Sequence, residues 1–274
     1  MVGRRNKDNV NERERSNAMA QKAKKAADEV SDILKVERGE VIMTLLHTTP
    51  LVNNRLSEKV KHELLMPARK KNAVERATTL KHVPIDEFRA SIYRTDSPDT
   101  LIGFPSLAVK AALRSAALDM PGTKKTEVGR RTSVSGELVS VYGIPRLFMR
   151  PVRSADMART PDIRTRAIVE RWACTVRIEF AKPLMTAQAV VNLLAAAGII
   201  IGIGDWRPEK GAGNYGQFEI VAPDDPRVLA IVKAGGREAQ EKAMLDAVPY
   251  DDESAELLEW FAEESAARKL RGAA

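Results

Sequence analysis

A glycine-rich stretch at residues 199–221, IIIGIGDWRPEKGAGNYGQFEIV, constrains the fold more than any other part of this sequence. It begins as an apolar run, carries five glycines in its polar middle and ends in a short alternating segment at residues 217–221. Glycines at this density indicate positive φ angles or the close approach of another backbone at several points. The sequence therefore predicts a long, structured loop between a helix and a strand.

Aromatic and basic side chains lie among these glycines, namely Trp206, Arg207, Lys210 and Tyr215. Rings can stack on nucleobases and cationic groups can contact phosphates, so the loop suits a single-stranded nucleic acid. The alternative is a hairpin-like connection in which the glycines only satisfy turn geometry. The loop alone does not decide between the two.

Charge and cysteine content limit the kinds of partner and metal site that this protein can have. The 274 residues have a formal net charge of +7 and a pI near 9.5, which favours a polyanionic partner. The one cysteine, Cys174, excludes an intramolecular disulfide and a multi-thiolate metal centre, and the three histidines lack metal-ligand spacing. We therefore expect no metal and no other cofactor.

Hydropathy predicts a soluble, cytoplasmic protein without membrane contact. No apolar run approaches the roughly 18 residues that are needed to span a bilayer. The first residues are polar and charged, whereas a signal peptide would have an apolar run there.

Composition predicts three regions. Residues 1–38 form a basic arm that has too few large apolar groups to offset the entropy of ordering, so it is either solvated or in contact with nucleic acid or a neighbouring subunit. Residues 39–221 form the core, with insertions at about 53–87 and 120–168. Residues 222–274 form a helical, acidic C-terminal extension.

Apolar periodicity predicts an α+β, ferredoxin-like core. Strands are predicted at residues 40–47, 88–93, 137–143 and 172–181. One helix is predicted to begin at Pro105, and a second to span residues 187–197 and to end at Gly198. With the last strand after the glycine-rich loop, this order suits an antiparallel sheet with helices on one face, and Cys174 is predicted to be buried in it. The C-terminal helices are predicted at residues 227–234, 237–248 and 254–270.

Basic residues concentrate in the middle of the chain. Lys110 and Arg114 are four apart on one face of the Pro105 helix. A Gly/Thr/Ser-rich stretch after that helix adds Lys124, Lys125, Arg130 and Arg131. Across residues 144–177 every basic residue is an arginine: Arg146, Arg150, Arg153, Arg159, Arg164, Arg166, Arg171 and Arg177.

Arginine has a planar fork that can grip a phosphate with two hydrogen bonds and can stack on bases, which lysine cannot do. The arginine segment is therefore predicted to be a hairpin laid over a nucleic-acid backbone. The alternative is a surface loop whose arginines pair with the acidic C-terminal region.

Two motifs resemble the CRISPR-associated RAMP superfamily. The glycine-rich stretch is similar to the loop that, in this superfamily, follows the second helix and precedes the last strand of a ferredoxin-like fold. The sequence LIGFPSLAVKAALRSAA is similar to its "I-P-x-S-x-L-K-x-A-L-R" element, through Phe104, Pro105, Leu107, Lys110, Ala111, Leu113 and Arg114. The resemblance implies a subunit of the type that binds guide RNA, or a phage or mobile-element relative of it.

This resemblance implies a non-catalytic protein that binds single-stranded nucleic acid, with RNA preferred to DNA. It would assemble as repeated subunits along the strand, as a homo-oligomer or with other subunits of a ribonucleoprotein. Lys110, Arg114 and the arginine segment would contact phosphates in one groove, where Trp206 and Tyr215 stack on bases.

Two other functions stay open. A structural or assembly protein, such as one from a phage, would associate head to tail through its basic middle and acidic end. A metal-dependent RNA endonuclease would use Asp96 or Asp99, since some RAMP subunits cut RNA with an aspartate before the first-helix motif. Aspartates beside Ser97 and Pro98 are typical turn formers, however, so we predict no catalytic residue.

Overall fold

The computed structural model of the protein describes residues 34–56, 61, 65–66, 82–153, 161–210 and 213–271, without the side chains of 153 and 268–271. The basic arm predicted at residues 1–38 and most of the insertion predicted at 53–87 lie outside these residues. All elements below belong to the unit Glu37–Ala274. The predicted domain boundaries stay predictions.

The described chain is a mixture of strands and helices. The strands are β1 (Glu37–His47), β2 (Leu51–Val52), β3 (Tyr93–Arg94), β4 (Ile102–Pro105), β5 (Thr132–Val134), β6 (Leu138–Tyr142), β7 (Pro145–Arg153), β8 (Pro161–Val169), β9 (Ala173–Lys182) and β10 (Phe218–Val221). The helices are α1 (Pro84–Ala90), α2 (Ser106–Ala116), α3 (Lys125–Arg131), α4 (Ala187–Ile200), α5 (Pro226–Ala234), α6 (Arg237–Leu245) and α7 (Asp252–Arg271), with a short 3₁₀ turn at Pro208–Lys210.

The larger sheet is antiparallel. Its strands lie in the order β10-β1-β9-β6-β4-β3, and β5 pairs with β9 as well. The centre is the long pairing of β1 with β9, in which Leu45 is opposite Cys174. Alternating residues of both strands are buried, as a half-buried strand requires, and Cys174 is among them, which confirms its predicted burial. Burial raises the pKa of the Cys174 thiol.

Helices α2 and α4 cover one face of this sheet and form the main core with it. Val109 and Leu113 of α2 are fully buried, as are Val190 and Leu194 of α4. Thr186 begins α4, because its side chain accepts a hydrogen bond from the amide of Ala189 at 3.2 Å. Both helices therefore pack against the larger sheet, and the glycine-rich loop leads from the end of α4 into β10.

Among the described residues, the opposite face of the larger sheet is only partly covered. Helix α5 covers one end of it, where Val228 and Ile231 pack near Leu46. The uncovered part carries ion pairs such as that between Arg177 and Glu40, whose atoms are 3.2 Å apart. The uncovered part of this face is therefore charged and paired.

The smaller sheet contains a long β-hairpin, as predicted for the arginine segment up to Val169, whereas Arg171 lies outside it and Arg177 belongs to β9 of the larger sheet. Strands β7 and β8 pair from Pro145 opposite Val169 to Arg153 opposite Pro161, and β2 pairs with β8 on the other side. Leu147, Ala167 and Val169 on one face of the hairpin are fully buried in the main core. The alternate residues form the second face, which carries the arginines.

Two sequence predictions of local structure are wrong. Residues 88–93 are not a strand, because Pro84 begins helix α1 with Asp86 and Glu87 in its first turn, and only β3 at the end of the segment is extended. Gly198 does not end α4, which runs on to Ile200. A Cβ at Gly198 would overlap the backbone of Phe218, so this glycine allows the close approach of β10.

A histidine joins α1 to the hairpin. His82 Nδ1 is 2.8 Å from Glu87 Oε1, and its Nε2 is 2.9 Å from Asp162 Oδ1 at the start of β8. The hydrogen bond to Glu87 is the main reason why the pKa of His82 is raised above its ordinary value of 6.5, and Asp162 raises it further. The protonated ring therefore stabilises the fold.

We expect the stabilisation from His82 to disappear as the pH rises. A histidine pKa that is raised in the folded state stabilises fully below the unfolded pKa, and this contribution is lost as pH rises through the folded pKa. Urea unfolding of the wild type and His82→Gln should therefore differ most at a pH of about 5.5 and least at about 8.5. A difference that grows with pH would contradict the role of the charged ring.

Candidate nucleic-acid interface

The outer face of the hairpin groups arginines around one aromatic ring. Strand residues two apart share a face, so Arg146, Phe148 and Arg150 of β7 lie together. On β8, Arg166 is directly opposite Phe148, and Arg164 is opposite Arg150. The pairing register therefore brings four arginines onto one face of the smaller sheet.

Aromatic rings from distant parts of the chain pack on this face. Phe148 is buried, and its ring centroid lies 5.3 Å from that of Trp206, 5.8 Å from that of Tyr215 and 5.6 Å from that of Tyr250. We call Phe148, Trp206, Tyr215 and Tyr250 the aromatic cluster. Trp206, Tyr215 and Tyr250 are only partly buried, which leaves part of each ring accessible. The glycine-rich loop and the hairpin therefore meet, as predicted for Trp206 and Tyr215.

Trp206 has an unusual backbone conformation. Its φ angle is +50°, in the left-handed region that glycine normally occupies. The Trp206 amide donates to Asp205 Oδ1 at 3.1 Å, and its carbonyl accepts from the Tyr215 amide at 3.2 Å. A Cβ at Gly213 would overlap that carbonyl, so the glycine is required where the loop closes on Trp206. Strain of this kind is concentrated at functional sites.

Two of the predicted phosphate-binding arginines are occupied by the C-terminal region. Arg150 forms a two-point ion pair with Asp251 and a second pair with Glu253 at 3.2 Å. Arg146 donates to the carbonyl oxygen of Pro249 at 2.7 Å. Burial opposes ionisation of Asp251, but the hydrogen bond from Arg150 prevails and lowers its pKa to about 2. For Arg150 the alternative of pairing with the acidic C-terminal region is correct, whereas Arg146 contacts a backbone carbonyl of that region and lies 3.9 Å from Glu170.

Arg164 and Arg166 keep hydrogen-bonding capacity. Among the described residues, Arg164 has no ion pair or hydrogen bond. The Nε of Arg166 is buried without a hydrogen-bond partner in that part of the chain, and its nearest carboxylate oxygen, Oδ2 of Asp205, is 3.8 Å away. Desolvation lowers the pKa of Arg166, against the attraction of Asp205. Arg164 can therefore accept an anionic partner, whereas Arg166 is loosely paired with Asp205 and offers only the exposed 15% of its side chain.

Lys110 and Arg114 lie on a different side of α2 from the glycine-rich loop. Ala108, Ala111 and Ser115 face that loop, and Ser115 Oγ donates to Glu209 at 2.6 Å. At 100° per residue, both cations fall on the other flank of the helix. Arg114 there lies against α3, since a Cβ at Gly129 would be 2.9 Å from its Nε. One groove does not hold these two cations with Trp206, and their contact with phosphate stays a prediction.

The remaining predicted cations are spread around the fold. Lys124 and Arg131 flank Glu127 of α3 with ion pairs of 3.4 and 3.1 Å. Lys125 and Arg130 belong to the same helix, and Arg130 is exposed. In the glycine-rich loop Lys210 is exposed, whereas the side chain of Arg153 lies outside the described residues. None of these placements tests binding.

Arg207 supports the loop. Its Nε and Nη2 donate to Glu209 Oε2 at 2.9 and 2.6 Å, and its Nη1 donates to the Gly204 carbonyl at 3.0 Å. Glu209 also accepts from Ser115, so this pair ties the loop to α2. Burial opposes ionisation of Glu209, but these hydrogen bonds leave its pKa lowered.

The turn around Asp96 and Asp99 is held by α6. The Asp99 amide donates to Ser97 Oγ at 3.2 Å, and Arg237 Nη1 donates to the Ser97 carbonyl at 2.8 Å. In the described part of the chain, no three His, Cys, Asp or Glu side chains are grouped so that they could hold a metal ion. Over those same residues, no helix is both long and apolar enough to cross a membrane.

Sequence reasoning missed three members of this site. Phe148, Tyr250 and Asp205 were not candidates, although Phe148 alternates with two arginines and Asp205 precedes Trp206. That alternation within β7 was a usable signal for Phe148. The position of Tyr250 depends on a pairing of its amide with the Leu147 carbonyl at 2.8 Å, which no local pattern indicates.

No protein-family profile matches this chain, and no curated protein matches its sequence. Among solved structures, the chain is similar to the crystal structure of Cmr6 from Pyrococcus furiosus, with a TM-score of 0.35 and 7% sequence identity. The match covers 68% of this chain and 98% of that one. A TM-score this low carries no argument about function, so we reason below from the residues of this chain.

Proposed function

We propose that the protein binds a single-stranded nucleic acid across the outer face of the hairpin. The observation that carries this proposal is the side-by-side placement of Arg164 and Arg166, which have unused donors, next to the part-exposed rings of Trp206 and Tyr215. Cations for the backbone and rings for the bases are the two requirements of single-strand binding. The net charge of +7 adds long-range attraction.

We further propose that the core is ferredoxin-like and belongs with the RAMP-type subunits. The sequence β1-α2-β5/β6-β9-α4-β10 has the βαββαβ order, and the antiparallel arrangement β10-β1-β9-β6 supports this reading. We propose RNA rather than DNA as the ligand, no catalysis, and assembly of repeated subunits on the strand in the cytoplasm. Sedimentation with strands of increasing length should then give progressively larger complexes.

Neutralising Arg164 and Arg166 is expected to weaken binding about tenfold or more, because hydrogen bonds to charged groups contribute about 1.5–3 kcal/mol. Anisotropy of a labelled 20-nucleotide RNA, a length of about one to five single-strand sites, measures this for Arg164→Gln/Arg166→Gln at two salt concentrations. Each lost phosphate contact should also flatten the dependence of log K on log salt by about 0.7.

The matched control is Arg177→Gln. Arg177 is an exposed arginine on the open face of the larger sheet, away from the hairpin, and should be neutral for binding. An equal loss per charge removed in both variants would mean that net charge alone binds the strand, and no binding by the wild type would end the proposal. DNA of equal length tests the preference for RNA. The absence of catalysis is tested by adding Mg²⁺ or Mn²⁺ to the complexes, which should leave the RNA intact in the wild type and in Asp96→Ala.

A further inference from the structure

A small pocket lies between α2 and the glycine-rich loop. Its volume is about 130 Å³. The walls combine apolar and polar groups: Phe104, Ala108, Ala111 and Ile203 on one hand, and Asn54, Tyr93, Arg207 and Glu209 on the other. This space is well below the roughly 300 Å³ at which sites for larger ligands begin, so it can hold a single planar ring system and no attached sugar or phosphate.

The pocket is held open by the loop itself. Gly202 and Gly204, with φ angles of +71° and +84°, form one wall, and a Cβ at Gly204 would overlap the carbonyl of Val52. The ion pair between Arg207 and Glu209 at the rim is fixed to α2 through Ser115. A ligand therefore finds the walls already in place and loses little free energy in ordering them.

Two polar groups at the pocket are unused. Over the part of the chain that the structure describes, the Tyr93 hydroxyl and the Asn54 carboxamide make no hydrogen bond. A carboxamide offers two donors and an acceptor, and a phenol offers one donor and acceptor sites. A slot that combines apolar walls with such polar groups matches the faces and the hydrogen-bonding edge of a nucleobase.

The pocket also adjoins the proposed strand-binding face. Arg207 lines it, while the preceding residue, Trp206, packs on Phe148 of the hairpin. A strand on the hairpin would therefore pass within one residue of the opening. We propose that this pocket takes one unstacked nucleobase of the bound single strand. The inference rests on the proposed function, because only a bound strand would deliver a base there.

Photocrosslinking tests this inference in any binding register. RNA of about 20 nucleotides with 4-thiouridine throughout is bound to the full-length protein, irradiated and digested with trypsin, and adducts are located by mass spectrometry. Tyr93 falls in the short tryptic peptide ASIYR, residues 90–94. Adducts are expected on this peptide as well as on those holding Trp206 and Tyr215.

Filling the pocket should remove only the first of these adducts. Ala111 is exposed at the surface of α2, so Ala111→Leu adds bulk to the pocket without changing the core. We expect a loss of about tenfold in ASIYR adducts and in affinity, with adducts at Trp206 and Tyr215 preserved. Ala255→Leu, the same change on an exposed alanine of α7, should alter neither.

The outcomes separate the two proposals. Strand binding with adducts at Trp206 and Tyr215 but none at ASIYR, or with ASIYR adducts that persist in Ala111→Leu, overturns the base pocket and leaves the proposed function intact. A wild type that binds no strand overturns both.

Discussion

Replacing Gln240 by leucine is expected to lower the free energy of unfolding by about 4 kcal/mol, because it leaves two buried amides without an acceptor at about 1–3 kcal/mol each. Gln240 is fully buried. Its Oε1 accepts from the amides of Leu101 and Ile102 at 2.7 and 3.0 Å. Its Nε2 donates to the carbonyls of Val141 and Gly143 at 2.8 and 3.0 Å. One side chain thus joins α6 to β4 and β6.

Urea unfolding followed by circular dichroism measures this loss. Leucine has a similar volume, so the change reports hydrogen bonds more than a cavity. The control is Gln188→Leu on α4, where the exposed glutamine donates to Asn192 one turn away and the stability should change by less than about 0.5 kcal/mol. A Gln240→Leu protein as stable as the wild type would mean that α6 is not anchored by this side chain.

Replacing Phe148 by alanine is expected to cost about 3–5 kcal/mol, the usual range for a buried phenylalanine. The ring is 1% exposed and is the centre of the aromatic cluster. Arg150, held by Asp251, lies over it with its guanidinium carbon 4.5 Å from the ring centroid. The substitution should also release Trp206 and Tyr215 from their positions, so strand binding should fall in the folded protein.

Phe88→Ala separates the two effects of this substitution. Phe88 is equally buried, but it lies on α1 in the main core. Both variants should lose similar stability, and only Phe148→Ala should lose affinity when each is measured at a temperature where it is folded. Phe148→Leu serves if the alanine variant does not fold. Equal affinities of folded Phe148 and Phe88 variants would show that the aromatic cluster is not part of the interface.

Elements with a strong period could be predicted from the sequence. The alternation at residues 172–181 and the apolar spacing after Pro105 correspond to β9 and α2, since each buries one face against the same core. The strand predicted at residues 88–93 is wrong because it relied on the β-forming residues Phe88 and Tyr93. The helix-start signals at Pro84 and Asp86 were given too little weight.

The candidate site could be predicted only in part. The sequence predicted that the arginine segment and the glycine-rich loop would lie along one groove. In the structure the two do meet at Phe148. It could not separate Arg150 from Arg164, because that distinction depends on Asp251, which is 101 residues from Arg150. Likewise, a basic pair at Lys110 and Arg114 indicates one helix face, but not which neighbour that face meets.

The left-handed backbone of Trp206 lowers the stability of the fold at a residue of the proposed binding site. A non-glycine residue in this conformation costs about 1–2 kcal/mol, and a glycine would remove that cost together with the ring contacts to Phe148 and Tyr215. The chain therefore carries a backbone cost at a position where the loop presents an indole to the hairpin.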